Sequence, residues 1–503
     1  MSFNLATILR ESALAAPDRP LLRFGPMEFT YRDVDIASGR VAAGLRAAGL
    51  ARGDTVAVQL PNLPEFVFAY FGALKAGITL MPLNPLLRAP EVAYHLQDSG
   101  ARILVTVEAF AGEAARGAAE AGNVPVYVVG APVDGASSFD DLYADEDSGD
   151  VEPMNSDDTA VIIYTSGTTG RPKGAELTHF QMYMACTVAG QTFGYRTDDV
   201  TMAVLPLFHV FGLSSVLNCV VRFGASAVLV PRFEVGTVLD AIELHRVTVF
   251  AGVPTMFIAL LHADLTGRDV SSLRVCVSGG ASIPGEVLKR FEAVYAGAPI
   301  LEGYGLSETC ALATFNQSAD DRRVMSIGKR MWGVEVRVVD GEDRELPPGP
   351  DSVGEIVLRG HNVMKGYRGS PEATAEAIRD GWFHTGDLGY RDADGFFYIV
   401  DRTKDLVIRG GFNVYPREIE EVLHQHPAVL EAAVVGRPDE RLGEEVVAFV
   451  ALKKGASAAP AELVDFCKVR LAAYKYPREV VVLGELPKGG TGKVLKAELR
   501  ATL

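Results

Sequence analysis

The sequence predicts an α/β protein in two parts: a large N-terminal α/β domain of several subdomains over residues 1–401, and a small C-terminal α+β domain over residues 402–503. Three observations predict it. The chain has 503 residues, and single cores stop growing near roughly 250–300 residues, so more than one is needed. The N-terminal part alternates wholly apolar strands with amphipathic helices, the pattern of parallel sheets covered on both faces. A charged stretch, Asp401-Arg402-Thr403-Lys404-Asp405, then leads into about a hundred residues with a different order of elements.

The elements follow in order. Leu5, Leu9 and Leu14, interrupted by Arg10 and Glu11, predict an amphipathic helix in the first turns of the chain, not a secretory leader. A strand is expected over 55–60, a helix over 65–76, a strand over 78–82, a helix over 90–99 with Pro90 in its first turn, and a strand over 103–107. The alternation resumes over 202–231 and 249–295, while 130–156 and 340–351 read as surface loops. Asp387 is expected in a loop just before a strand. After a strand over 396–400, the C-terminal unit should hold helices over 418–424 and 460–471 and strands over 432–436 and 446–452.

Composition narrows the function classes. The formal charge of 48 − 64 = −16 argues against a nucleic-acid binder, which would carry a basic stripe. No apolar run reaches the ~18 residues of a membrane span. Cys186, Cys219, Cys276, Cys310 and Cys467 are odd in number and far apart, so reduced, buried thiols and a cytoplasmic location are expected.

The segment richest in chemistry is Tyr164-Thr165-Ser166-Gly167-Thr168-Thr169-Gly170-Arg171-Pro172-Lys173-Gly174, which follows an apolar strand over 160–164. Its glycines and hydroxyls offer unhindered N–H and O–H donors to a polyphosphate, and Lys173 adds a mobile cation. A Walker A loop has another spacing. Glu308, in Tyr304-Gly305-Leu306-Ser307-Glu308-Thr309, would repel a phosphate directly, so its natural task is to hold Mg²⁺, with a Thr hydroxyl as a second oxygen ligand. Lys493 lies in the glycine-rich run Pro487-Lys488-Gly489-Gly490-Thr491-Gly492-Lys493, on a loop too flexible to be rigid.

These motifs, in this order, resemble those of the adenylate-forming superfamily, which includes acyl-CoA synthetases, beetle luciferases and peptide-synthetase adenylation domains. Pro206-Leu207-Phe208-His209, Thr385-Gly386-Asp387 and Gly410-Gly411-Phe412-Asn413 complete the set, which spans nearly the whole chain. The resemblance implies adenylation of a carboxylic acid by ATP, then acyl transfer to coenzyme A. It implies nucleotide contacts from Thr165, Ser166, Gly167, Thr168, Thr169, Gly170, Lys173, Gly280, Ala281, Ser282, Glu302, Gly303, Tyr304, Gly305 and Thr309. Tyr304 would stack on adenine, Asp387 would accept the ribose hydroxyls with Arg402 nearby, and Lys493 would stabilise the adenylation transition state. Lys404 matches a hinge about which the small domain turns. Turning would withdraw Lys493 and bring Gly410, Gly411, Asn413, Tyr474 and Lys475 to the CoA side.

An acid pocket is expected among Phe208, His209, Val210, Phe211, Gly212, Leu213, Ser215, Val216, Val253, Gly279 and Gly280, an apolar lining with small residues. Read alone, His209 is more often a structural group than a site residue; in relatives it flanks the acid pocket and shifts between the two half-reactions. The resemblance also gives the metal to Glu308 and Thr165. Within the superfamily the chain looks most like bacterial fatty-acyl-CoA ligases, with medium- or long-chain fatty acids as substrates. The alternatives are an aryl ligase of the coumarate type, a malonate-type ligase, or a carrier-protein-loading enzyme. Small-molecule acid, ATP and CoA are the expected partners, and relatives are commonly homodimers.

Overall fold

The computed structural model describes residues 2–147, 149–165, 171–295, 297–402, 405–410, 412–490 and 492–503. Among them four sheets form. The largest has nine strands. Its parallel centre runs from Ile300–Tyr304 through Val275–Ser278, Val249–Gly252, Val200–Ala203 and Ser226–Leu229 to Pro20–Phe24. An eight-stranded sheet places Thr159–Thr165 beside Thr79–Pro82, then Thr55–Gln59, Ala101–Val107 and Val126–Val129, again parallel. Strands buried on both faces explain the near-continuous apolar runs: every residue of Thr55–Gln59, Thr79–Pro82 and Val275–Ser278 is buried. One continuous core serves both sheets.

The strand Lys173–Thr178 returns antiparallel to Thr159–Thr165, pairing Lys173 with Thr165. The two strands that flank the glycine-rich segment are therefore adjacent in the sheet. A third, antiparallel sheet holds Val334–Val339, Gly354–Gly360, Trp382–Arg391 and Phe397–Arg402. Asp387 lies inside the strand Trp382–Arg391, not in a loop before it; Gly386, at φ +70°, and an adjacent register shift let a strand carry a site-facing bend.

The smaller C-terminal unit is an α+β fold around Val429–Asp439, Gly443–Leu452 and Glu479–Leu483. Ile419, Leu423 and Leu463 pack on one face of its sheet, and Phe449, Leu486 and Leu499 on the other. Its cores share no residue with the N-terminal core. The two parts make the large and small α/β domains of the expected fold class.

Two expectations change in detail. The segment expected as a surface loop over 130–156 buries Phe139 and Leu142, a strand-linked turn beneath the helix Tyr31–Ala47. The helix expected over 460–471 closes at Lys468. All five cysteines are free and buried, and among the described residues no helix is long and apolar enough to cross a membrane.

Candidate active site

A cavity of about 1040 Å³ opens where the two large sheets, the antiparallel sheet and the loop carrying Lys493 meet. On its polar side it is lined by Thr165, Lys173, Gly303, Gly305, Glu308 and Arg402. On its apolar side it is lined by His209, Val210, Phe211, Ser215, Gly279 and Gly280, with Lys493 between the two.

The apolar wall begins with a buried clamp. Asn62, 2% exposed, donates from Nδ2 to the carbonyls of Ala203 (2.8 Å) and Leu205 (2.9 Å) and accepts the Leu207 N–H at Oδ1 (2.8 Å). One side chain thus fixes the backbone on both sides of Pro206 and aims Phe208 and His209. The chain then enters a π-helix, Phe211–Asn218. Gly212 is required at its start, because a Cβ there would lie 2.3 Å from the Pro206 carbonyl oxygen. The π-helix turns Phe211 and Ser215 toward the cavity, while Gly212 and Leu213 are buried in its other faces.

His209 accepts the Phe211 N–H at Nδ1 (3.2 Å), which leaves its proton on Nε2. Desolvation, reinforced by the Lys493 charge, holds this ring down at about 3, so it is neutral near pH 7. Lys493 reaches the wall opposite: a Cβ on Gly280 would stand 3.2 Å from its Cε and 3.8 Å from its Nζ. Only glycine at 280, φ +80°, leaves that approach open. The loop is shaped by Gly489 N–H to the Lys493 carbonyl (2.8 Å) and touches the large domain where Thr255 Oγ1 donates to the Gly492 carbonyl (3.5 Å).

On the polar side, Glu308 is buried and accepts the Tyr367 hydroxyl at Oε1 (2.9 Å). Lys173 Nζ lies 5.4 Å from the centre of the same ring. Thr309, fully buried, accepts the Leu306 N–H (2.8 Å) and holds the turn that offers Glu308 to the cavity. The Tyr304 hydroxyl donates to Asp387 Oδ2 (2.5 Å), and Arg402 Nε pairs with Asp387 Oδ1 (2.9 Å). Burial first, then the Asp387 charge, pushes the Tyr304 phenol well up, so it stays a donor.

The side chains of Glu302, Tyr304, Thr309, Asp387, Ala281, Ser282 and Val253 stand behind or beside the cavity lining rather than in it. Gly410, Asn413, Tyr474 and Lys475 sit on the small domain away from the cavity, where Phe412 stacks on Tyr474 (4.6 Å) and Lys475 pairs with Glu418 (2.7 Å). Ser166, Gly167, Thr168, Thr169, Gly170, Lys404 and Gly411 lie outside the described residues. Sequence reasoning missed Asn62, Tyr367 and the cavity-lining Phe193 and Phe315, whose rings meet at 4.5 Å. Each reads locally as an ordinary core or loop residue, so only long-range packing reveals it.

For Mg²⁺, the donor set fits a hard cation completed by substrate oxygens: Glu308 supplies a carboxylate at the cavity wall and Thr165 a hydroxyl. Among the described residues no group of three or more His, Cys, Asp or Glu could hold a metal ion without such help.

The AMP-binding enzyme family model matches residues 9–368, and the AMP-binding enzyme C-terminal domain model matches 418–493. A long-chain-fatty-acid–CoA ligase of Bacillus subtilis (strain 168) is 37% identical, covering 99% of this chain and 94% of its own. A feruloyl-CoA synthase of an Amycolatopsis species is 38% identical, covering 97% of this chain and 96% of its own. The crystal structure of ATP-bound MatB from Rhodopseudomonas palustris, 34% identical, covers all of this chain and 99% of its own at a TM-score of 0.92; the apo form of that protein gives 0.80. With matches over both parts of the chain and a shared fold, the protein belongs to the AMP-binding enzyme family as an ATP-dependent acid–CoA ligase.

Proposed function

We propose that this cavity first joins a carboxylic acid to AMP with release of pyrophosphate, and that the small domain, here taken as residues 402–503, then turns so that CoA can attack the acyl-adenylate. The observation that carries the reading is Lys493, delivered by the small domain to a point beside Gly280 and His209. In adenylation an acid oxygen attacks the α-phosphorus and the bond to pyrophosphate breaks. Lys493 and Lys173 offset the charge that grows on the phosphate oxygens. Mg²⁺, held by Glu308 and Thr165, would neutralise phosphate charge when bound. His209, neutral and protonated on Nε2, offers a hydrogen bond without adding a second cation beside Lys493. Asp387, backed by Tyr304 and Arg402, is a fixed acceptor for the ribose hydroxyls.

In the second step the CoA sulfur attacks the acyl carbonyl and AMP leaves. Orientation and exclusion of water are the protein's contribution. Rotation about Lys404 would remove Lys493 and present Gly410, Gly411, Asn413, Tyr474 and Lys475. The higher similarity to the ATP-bound than to the apo form of MatB supports reading the present pose as the adenylating one.

The acid is proposed to be a medium- or long-chain fatty acid, held by Val210, Phe211, Val277, Leu312 and the Phe193–Phe315 pair. A second reading, an aryl acid of the coumarate type, is favoured by one feature. Ser278 lines the cavity with its Oγ buried and without a hydrogen-bond partner among the described residues, which suits an acid carrying a polar substituent. CoA-dependent AMP release should be measured with acetate, malonate, octanoate, palmitate, benzoate and coumarate. Preference for octanoate or palmitate is expected. Turnover confined to coumarate or malonate would keep the chemistry and overturn the substrate.

A further inference from the structure

We propose that Tyr367 is a neutral spacer between Lys173 and Glu308. Its hydroxyl fixes the carboxylate and its ring faces the ammonium, so the two opposite charges do not cancel each other before a nucleotide arrives. The inference rests on the adenylation reading above, which gives Lys173 to phosphate and Glu308 to Mg²⁺, and adds the residue that keeps both available.

The placement starts from the backbone. Residues 364–368 run between the strand that opens with Lys173 and the turn that carries Glu308. The Met364 N–H donates to the Glu308 carbonyl (2.7 Å), the Lys365 N–H to the Glu176 carbonyl (2.9 Å) and the Arg368 N–H to the Gly174 carbonyl (2.8 Å). Gly366 and Tyr367 pair antiparallel with Glu176 and Ala175. One short segment is therefore stitched to both elements, and Tyr367 lies inside it. Its own N–H donates to Thr374 Oγ1 (2.9 Å), and that hydroxyl donates to the Ser370 carbonyl (3.0 Å), so the helix Pro371–Ala377 anchors it as well. The backbone under the ring is fixed before the side chain makes any contact.

From that base the side chain reaches both charges. Its hydroxyl donates to Glu308 Oε1 (2.9 Å), and Lys173 Nζ stands 5.4 Å from the centre of its ring. All three residues line the same cavity, and among the described residues no ion pair joins Lys173 to Glu308. Glu308 is 8% exposed, so a cation allowed to reach it would be held more firmly than in open water. Once paired, neither group could serve phosphate or metal until the pair broke. A phenol avoids this. It satisfies one carboxylate oxygen with a neutral donor, and its ring face attracts an ammonium without carrying a charge. Phenylalanine could do only the second, and leucine neither.

The two contacts can be separated by ATP binding to the full chain without acid, measured by calorimetry with Mg²⁺ and again with a chelator. Tyr367→Phe keeps the ring and removes the donor. The gain in ATP affinity on adding Mg²⁺ should shrink about fivefold, the scale of one net hydrogen bond, while metal-free binding stays within about twofold. Tyr367→Leu removes both contacts and lets Glu308 capture Lys173, so metal-free binding should fall about tenfold. In Tyr367→Leu combined with Glu308→Gln that loss should vanish, because no carboxylate is left to capture the lysine, and metal-free binding should match Glu308→Gln alone. An unchanged Mg²⁺ effect in Tyr367→Phe, no metal-free loss in Tyr367→Leu, or the same loss with and without the Glu308 carboxylate would each overturn the spacer. Should Tyr367→Leu not fold, Tyr367→Phe decides: a reduced Mg²⁺ effect supports the spacer and an unchanged one overturns it. Lys173→Gln and Glu308→Gln, run in parallel, isolate the underlying reading. If the first leaves metal-free binding intact, or the second leaves the Mg²⁺ effect intact, the charge assignments themselves are wrong. If both respond and the Tyr367 variants do not, only the spacer is wrong.

Discussion

At the scale of single residues, the buried polar groups set the behaviour of this enzyme more than the surface charge does. His179 is 1% exposed and accepts the Leu5 N–H at Nδ1 (3.0 Å), tying the segment before the first helix to the start of the helix His179–Phe193. Burial holds its ring down at about 4, below the ordinary value of 6.5. The folded pKa lies below the unfolded one, so the unfolded chain binds the extra proton first, and this contribution to stability is present above pH 6.5 and lost on the way down to pH 4. His179→Asn, which keeps an acceptor near Nδ1, should flatten the fall in urea stability between pH 7 and pH 5.5 by about 1 kcal/mol. An unchanged slope would show that the ring is not the group responsible. Asn62→Ala strands the buried Leu205 carbonyl and the Leu207 N–H on either side of Pro206 and removes a donor from the Ala203 and Val230 carbonyls. A loss of about 3 kcal/mol is expected in urea unfolding, together with a raised KM for the acid because Phe208 and His209 lose their backbone reference. Glu308→Gln should weaken the use of Mg·ATP, checked by magnesium titration of exchange activity; normal magnesium dependence would remove the metal assignment.

At the scale of elements, the π-helix Phe211–Asn218 shapes the acid side. Its wide turn puts Phe211 and Ser215 on the cavity and seats Gly212 against the Pro206 carbonyl. Gly212→Ala cannot be absorbed by a flexible side chain, because the obstructing atom is backbone. It should cost about 1–3 kcal/mol of stability in thermal or urea unfolding and alter acid preference by shifting Phe211. Wild-type stability and selectivity in this variant would mean that the helix start is free to move. The strand Trp382–Arg391 is a second case: it carries Asp387 through a bend at Gly386 to meet Tyr304 and Arg402 from two other strands.

At the scale of the whole molecule, one loop of the small domain carries Lys493 into a cavity lined mostly by the large one, and the proposed adenylation step depends on that reach. Lys493→Ala should abolish acyl-AMP formation in the exchange assay while sparing thioester formation from supplied acyl-AMP; equal loss of both would refute its role as an adenylation residue. The sequence by itself determined the two-part α/β class, because wholly apolar strands alternating with amphipathic helices can be buried only as covered parallel sheets. It also marked the loop carrying Lys173 as a phosphate-binding candidate, since glycine and hydroxyl density beside a buried strand has little structural use, whereas His209 and Lys493 stood out only through the ordered set of motifs. Tertiary structure alone decided the rest. Asn62, Tyr367, Phe193 and Phe315 read as ordinary residues in their local sequence, and each acquires its place only from partners distant in the chain. Local sequence encodes propensity and burial, whereas a cavity wall or a domain contact is a property of chain segments that meet only after folding.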